Sequence, residues 1–222
     1  MNVTARFTTS LLMCMCLVAT LLLTGCSLSL PSLPVLGGES GKITLTNEIT
    51  SEKVLNTSFD RSIYTIDDKE NLTILLVKGT YEDPQEILTI RMFWKPIPAQ
   101  TPIDETATNA TFHYVTFGKN KAGKRTCGVY SGAGFLYLYN NAGSNKLKAG
   151  IWQANLRLSD STEQFVNNLS ETVMTGSLIA IKQTDDFSRV LHTANLSVNE
   201  TLGFPRFIRN DQDTNQRLAI LP

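Results

Sequence analysis

The sequence predicts an all-β fold, with an antiparallel β-sandwich ranked first and an up-and-down β-barrel second. Three observations predict it. Apolar residues recur at every second position over most of the chain beyond Ile43. β-Branched and aromatic types fill many of those positions, and clusters of Gly, Pro, Asn and Asp separate the runs. Strands do not alternate with helical patterns, which argues against a parallel sheet with crossover helices. Sandwich and barrel alternate identically along each strand, so the pattern ranks the two without separating them.

The elements follow in order. Ile43, Leu45 and Ile49 alternate with Thr44 and Thr46. Leu72 to Val77 is apolar on both parities, the mark of a central strand covered on two sides. A turn through Gly79 and Glu82-Asp83-Pro84 leads to a run with Leu88, Ile90, Met92 and Trp94 on one face, which Pro96 and Pro98 end. Residues 99–108 read as a loop, and Ala110 to Phe117 as a strand. Lys119 to Arg125 reads as a solvated hairpin loop, the alternative being a contact site for an anion. In Cys127 to Tyr139 one parity carries Phe135, Tyr137 and Tyr139, and the other carries Gly132 and Gly134. Those glycines predict a bulge, a bend or close approach of a neighbouring backbone.

Gly150 to Leu158 is expected to turn Trp152, Ala154, Leu156 and Leu158 inward. The one helical candidate is short, from Asp160 or Ser161 to Leu169, with Phe165, Val166 and Leu169 as its apolar stripe. Val173 to Lys182 is a strand. Phe187 to Val198 reads as the last long strand, with Val190, His192, Ala194, Leu196 and Val198 on one face. Beyond Gly203 the chain is either irregular or adds a late strand at Leu218 to Ile220.

The N-terminus follows a different logic. Arg6 precedes an uninterrupted apolar run, Leu11 to Leu23. Its 13 residues fall short of the roughly 20 that a spanning helix needs. A short apolar run this close to Met1, flanked by positive charge and ending in small residues, reads as a secretory signal. Its end, Leu23-Thr24-Gly25-Cys26, resembles the lipobox of bacterial lipoproteins. The resemblance covers the first 26 residues alone. It implies removal of residues 1–25 and acylation of Cys26, which binds the protein to a lipid bilayer. Each buried methylene contributes about 0.8 kcal/mol, so one chain holds reversibly and two or more hold firmly. Ser27, where an Asp favours the inner membrane in Gram-negative lipoproteins, implies the outer membrane. Residues 26–42, rich in Ser, Gly and Pro, read as lipidated cysteine and flexible tether, and 43–222 as a single domain. A plain secreted protein is the alternative.

Removing 25 of 222 residues leaves 197, with 19 basic and 20 acidic side chains. A net charge near −1 gives no electrostatic reason to expect nucleic acid. Of four cysteines only Cys127 remains in the domain, which excludes an intrachain disulfide, an iron–sulfur centre and a Cys-rich zinc site. It reads as a small buried apolar residue. His113 and His192 both fall inside strand patterns and read as packed side chains. The acidic clusters at Asp67-Asp68, Glu82-Asp83, Asp104-Glu105, Asp185-Asp186 and Asp211 to Asp213 sit in expected turns. No catalytic spacing, metal motif or phosphate loop is present, so neither cofactor nor metal is expected.

Gly150-x-Trp152 superficially resembles the lipocalin signature, but lies about 125 residues into the mature chain instead of on the first strand. Asn-x-Ser/Thr sites, including Asn71, Asn109, Asn168, Asn195 and Asn199, are read as surface composition. The aromatics are the more informative feature. Tyr137, Tyr139 and Trp152 are candidate contacts for a ligand or partner, against the competing reading that Phe135, Tyr137 and Trp152 are core. The expectation is a non-catalytic binding or assembly module that touches another envelope protein. The alternative is a carbohydrate or small-ligand domain, and a hydrolase ranks third.

Overall fold

A computed structural model of the chain describes residues 40–68, 70–94 and 108–207. The signal, lipobox and most of the tether lie outside the described residues, as do Pro96, Pro98, Asp104-Glu105 and the late strand at Leu218 to Ile220. The described chain holds nine strands and one helix: β1 (Gly41–Asn47), β2 (Lys53–Phe59), β3 (Arg61–Ile66), β4 (Leu72–Gly79), β5 (Pro84–Met92), β6 (Ala110–Lys119), β7 (Arg125–Leu138), β8 (Lys146–Ser161), β9 (Thr172–Lys182) and α1 (Phe187–Leu202).

All nine strands belong to one mixed sheet in the order β2-β1-β9-β3-β4-β5-β6-β7-β8, and β9 also pairs with β8. From β3 to β8 every neighbour is sequential and antiparallel. Strand β9 is antiparallel to β8 along one edge. Along the other it is antiparallel to β1, and Ile63 and Tyr64 of β3 then meet Ile181 and Lys182 in parallel. Both edges of β9 are therefore occupied, and the ladder runs from β8 through β9 to β1 and β2.

The alternation sorts into two apolar faces. Ile43, Leu45, Phe59, Leu72, Ile74, Leu76, Leu88, Ile90, Phe112 and Leu136 belong to a large inner cluster. On the other face Ile63, Leu75, Val77, Ile87, Val115, Cys127 and Val129 lie under Phe187, Val190, Ala194 and Val198 of α1. The two-sided apolar run in β4 is thus explained, since one parity enters the inner core and the other is roofed by the helix. Full burial of side chains of this size contributes roughly 1.5–3 kcal/mol each. Burial within this second cluster also pushes the Cys127 thiol up to about 11, the nearby Arg125 opposing, which leaves the sulfur in its unreactive thiol form.

Three expectations are corrected here. Phe187 to Val198 is helix and not strand. Phe187, Val190, Ala194 and Val198 obey helical spacing as well as a partial period of two, and all four are buried. Asp186 stands at the N-cap, and Gly203 closes the helix at φ 82° with its N–H bonded to the Asn199 carbonyl. Leu196, expected on the buried face, is exposed. The short helical candidate is not a helix either. Strand β8 continues to Ser161, and the segment to Ser170 is turn and irregular chain, fastened where the Thr162 N–H meets the Cys127 carbonyl. Third, Trp152 points outward and is 50% exposed, while Ile151 and Ala154 are buried. The ladder shifts register between Ile151 and Ala154, and this bulge reverses the parity that simple alternation assigns to Trp152.

The glycine expectation holds. A Cβ on Gly132 would lie 1.8 Å from the Asn155 carbonyl oxygen, and one on Gly134 would lie 1.9 Å from that of Gln153. Strand β8 crosses β7 too closely there for any side chain. Strands β2 and β3, by contrast, lie in a stretch from which no strand is predicted, because Asn56, Asp60 and Arg61 interrupt its apolar pattern.

Two polar side chains complete the frame. Asn109 is fully buried, accepts the Leu136 N–H at 2.8 Å and donates to the Leu136 carbonyl at 2.9 Å. It stands in for one further rung of the β6–β7 ladder, which ends at Ala110 opposite Gly134. Tyr64 is fully buried and its hydroxyl reaches the carbonyls of Ala142 and Ser144, drawing the β7–β8 connection onto the inner core.

Candidate functional site

Connections alternate between two ends of the sheet. The β1–β2, β4–β5 and β6–β7 turns and the β8–β9 connection share one end, and it is here that a cavity of about 850 Å³ opens. Ligand pockets generally measure about 300–1,000 Å³. Strand β2 contributes Val54 and Leu55, and the inner face of β6 contributes Thr116 and Gly118. Opposite them are Thr126 and Tyr130 of β7, with Phe165 and Leu169 from the β8–β9 connection.

Local chemistry fixes each wall. The β6–β7 hairpin is tied by Asn120, whose Oδ1 accepts the N–H groups of Ala122 and Lys124 at 2.9 Å, with Gly123 at φ 77° making the turn. Asn120 also donates to Gln164, which joins the hairpin to the β8–β9 connection. That connection is held from inside as well. The Tyr130 hydroxyl donates to Asn167 Oδ1 at 2.7 Å, and Asn167 accepts the Ser170 N–H at 3.0 Å. Burial pushes the Tyr130 phenol up to about 12, a backbone hydrogen bond with Leu169 opposing, so the hydroxyl remains a donor at neutral pH. The Phe165 ring lies against Gly128, where an added Cβ would fall 2.3 Å from its edge. The wall is therefore shaped by a ring that only glycine accommodates.

On the same inner face lies a charge cluster centred on the buried Glu86, with half-buried Lys78 as its cation. Glu86 accepts from Lys78 Nζ at 2.8 Å, from the Thr57 hydroxyl at 3.0 Å and from the Tyr114 hydroxyl at 2.7 Å. Burial first, then the Glu86 carboxylate, drives the Tyr114 phenol well above its ordinary value. No ladder joins β2 to β4 among the described residues, and Lys78, Thr57 and Glu86 bridge those two strands through side chains. With three donors on one carboxylate, the cluster is a structural tie.

The remaining candidates are distributed as follows. Tyr137 on the outer face of β7 and Tyr139, one residue past the strand's end, have rings 5.5 Å apart, edge to face. Trp152 occupies the outer face of β8, two residues beyond the Gly150 that pairs with Tyr137. Tyr139 is 56% exposed and its ring lies over Gly150. The structure thus brings Tyr137, Tyr139 and Trp152 to one surface, away from the residues that line the cavity. Phe135 is buried against Trp94, at 5.8 Å. Among the described residues no group of three His, Cys, Asp or Glu converges as a metal site. Asp67 holds the Asn71 N–H in the β3–β4 turn, Asp83 pairs with Arg125 at 3.0 Å, and Asp186 pairs with Arg189. Asn109 and Asn199 do structural work: Asn199 binds the Arg206 and Phe207 N–H groups and the Phe207 carbonyl, folding the chain back after α1.

Sequence reading missed the cavity because its walls come from a strand it did not predict and a connection it read as helix. The visible signal was the hairpin, already marked as a candidate for anion contact. Comparison of the chain with protein-family models, with curated proteins and with solved structures finds no match.

One consequence concerns acid. His113 lies on β6 with Nδ1 3.0 Å from the Ser131 hydroxyl and its ring edge-on to Phe207 at 5.9 Å. Burial, and then the Arg206 cation paired with Asp160 at 2.5 Å, hold its pKa below the usual histidine value. The unfolded chain therefore takes up the proton first, and stability falls as pH drops through about 6.5 towards the folded value. Urea unfolding at about pH 7.5 and about pH 5.5 is expected to show a larger loss for the native protein than for His113→Gln. Equal losses would contradict this assignment.

Proposed function

We propose that the nine strands form an up-and-down barrel, with β2 and β3 as two halves of one wall strand, and that the domain binds a small ligand at its open end. Support for the barrel comes from the pairing of β9 along both edges, where two separate packed sheets would leave edges free. The observation that carries the function is the cavity of about 850 Å³ between the β6–β7 hairpin and the β8–β9 connection. Apolar Leu55, Phe165 and Leu169 with neutral Thr116, Thr126 and Tyr130 make a mixed lining, as ligand pockets have. This ranks the small-ligand reading ahead of the protein-contact reading expected first.

Through acylated Cys26 the domain would be held at a cell-envelope membrane, the outer one in a Gram-negative host. Strand β1 runs from Gly41 towards the cavity end, so Gly41 lies at the end of the sheet away from the opening. A second reading rests on Tyr139 and Trp152, which with Ile181 are large apolar side chains at 50–56% exposure. Docking of another envelope protein on that face is compatible with ligand binding at the end.

Two experiments test these readings. The uncharged fluorophore N-phenyl-1-naphthylamine is expected to bind the domain with enhanced, blue-shifted emission, and Gly118→Trp is expected to weaken it about tenfold or more. The backbone accepts this change, since a Cβ at Gly118 meets nothing nearer than the Thr126 hydroxyl at 3.4 Å. Equal binding by a folded Gly118→Trp would sink the cavity reading. For the anchor, fractionation of cells should place the native protein with membranes and Cys26→Ala in the soluble fraction. Retention of that variant on membranes at high salt would refute the lipid anchor.

A further inference from the structure

We infer that the ligand is an anionic amphiphile, a molecule with one apolar body and one carboxylate, phosphate or sulfonate head, whose head is met by Lys119 and Lys121. This rests on the cavity being a ligand site, and it adds the sign and position of the ligand's charge. The lining carries two charged residues, Lys119 and Lys121, and no Asp or Glu. Neither lysine takes part in an ion pair among the described residues. Two other charges nearby are already matched. Arg125 is occupied by Asp83 and by the Pro84 carbonyl at 2.6 Å, and Glu86 by Lys78.

Two cations outside any ion pair, beside a cavity of mixed lining with apolar Leu55, Phe165 and Leu169 in it, make a directional site. An apolar body gains by leaving water for the space beside Leu55, Phe165 and Leu169, and an anion gains by stopping at the rim instead of entering. The reverse orientation would carry the anion towards Glu86. The hairpin is suited to this because the Asn120 turn and its link to Gln164 hold both lysines on a fixed loop. A neutral sugar would leave the lysines without a role, and a cationic ligand would be repelled at the opening.

The test uses two fluorophores with the same ring system, uncharged N-phenyl-1-naphthylamine and its sulfonated relative 8-anilinonaphthalene-1-sulfonate. Both are expected to bind the native domain. In the double variant Lys119→Gln with Lys121→Gln, the sulfonate probe should weaken about three- to tenfold, the range that exposed charge pairs support. The uncharged probe should stay within about twofold. Raising salt from about 20 mM to about 500 mM should weaken only the sulfonate probe. Displacement by laurate, by dodecyl phosphate or by both would identify the head-group source, and dodecanol should compete less well. Sulfonate binding that is unchanged in the double variant and insensitive to salt would overturn the inference while leaving the cavity intact. Absence of binding by either probe would overturn the cavity reading, and this inference with it.

Discussion

Occupation of both edges of β9 is the constraint on which the rest depends. A strand bonded to β8 along one side and to β1 and β3 along the other leaves the sheet nowhere to end at that strand. In the proposed barrel the long strands must coil, and the chain supplies what coiling needs. Register shifts in β8 near Ser159 and Trp152 add residues on the outside, and Gly132 and Gly134 let β8 cross β7 at contact distance. Where the backbone ladder lapses, side chains carry it: Asn109 beside Leu136, and Lys78, Thr57 and Glu86 between β2 and β4. Leaving one such buried group unsatisfied costs about 1–3 kcal/mol, so these few residues weigh heavily against a total stability of about 5–15 kcal/mol.

The two ends of the sheet are finished differently. At one, Ala142 is buried in the inner cluster and its carbonyl is held by Tyr64. At the other, the β8–β9 connection is tied through Phe165, Asn167 and Gln164 but leaves space beside Leu55 and Thr116. That space is open to solvent, and polar Thr116, Thr126 and Tyr130 face it.

Much of the fold was legible because antiparallel pairing writes itself locally. Leu72 to Val77, Leu88 to Met92 and Ala110 to Phe117 are strands as their alternation predicts, and Gly132 and Gly134 mark the close crossing. The misreadings have specific causes. Val190, Ala194 and Val198 satisfy both periods, and the end signals Asp186 and Gly203 were the better guide to a helix. Trp152 follows a bulge, which alternation alone does not reveal. Strands β2 and β3 are interrupted by Asp60, whose carboxylate instead receives the Gly79 N–H. Of the candidate site, Tyr137, Tyr139 and Trp152 do share a surface, whereas the cavity joins Leu55, Thr116 and Phe165 across more than a hundred residues of chain. Long-range closure of that kind has no signature in a window of sequence.

The most direct test of where a ligand enters is hydrogen exchange of the domain, read by mass spectrometry with and without N-phenyl-1-naphthylamine. The account predicts added protection in peptides covering residues 116–126 and 162–170, with the outer face around Tyr137, Tyr139 and Trp152 unchanged. Protection confined to that aromatic face, with the hairpin and the β8–β9 connection unaffected, would contradict it.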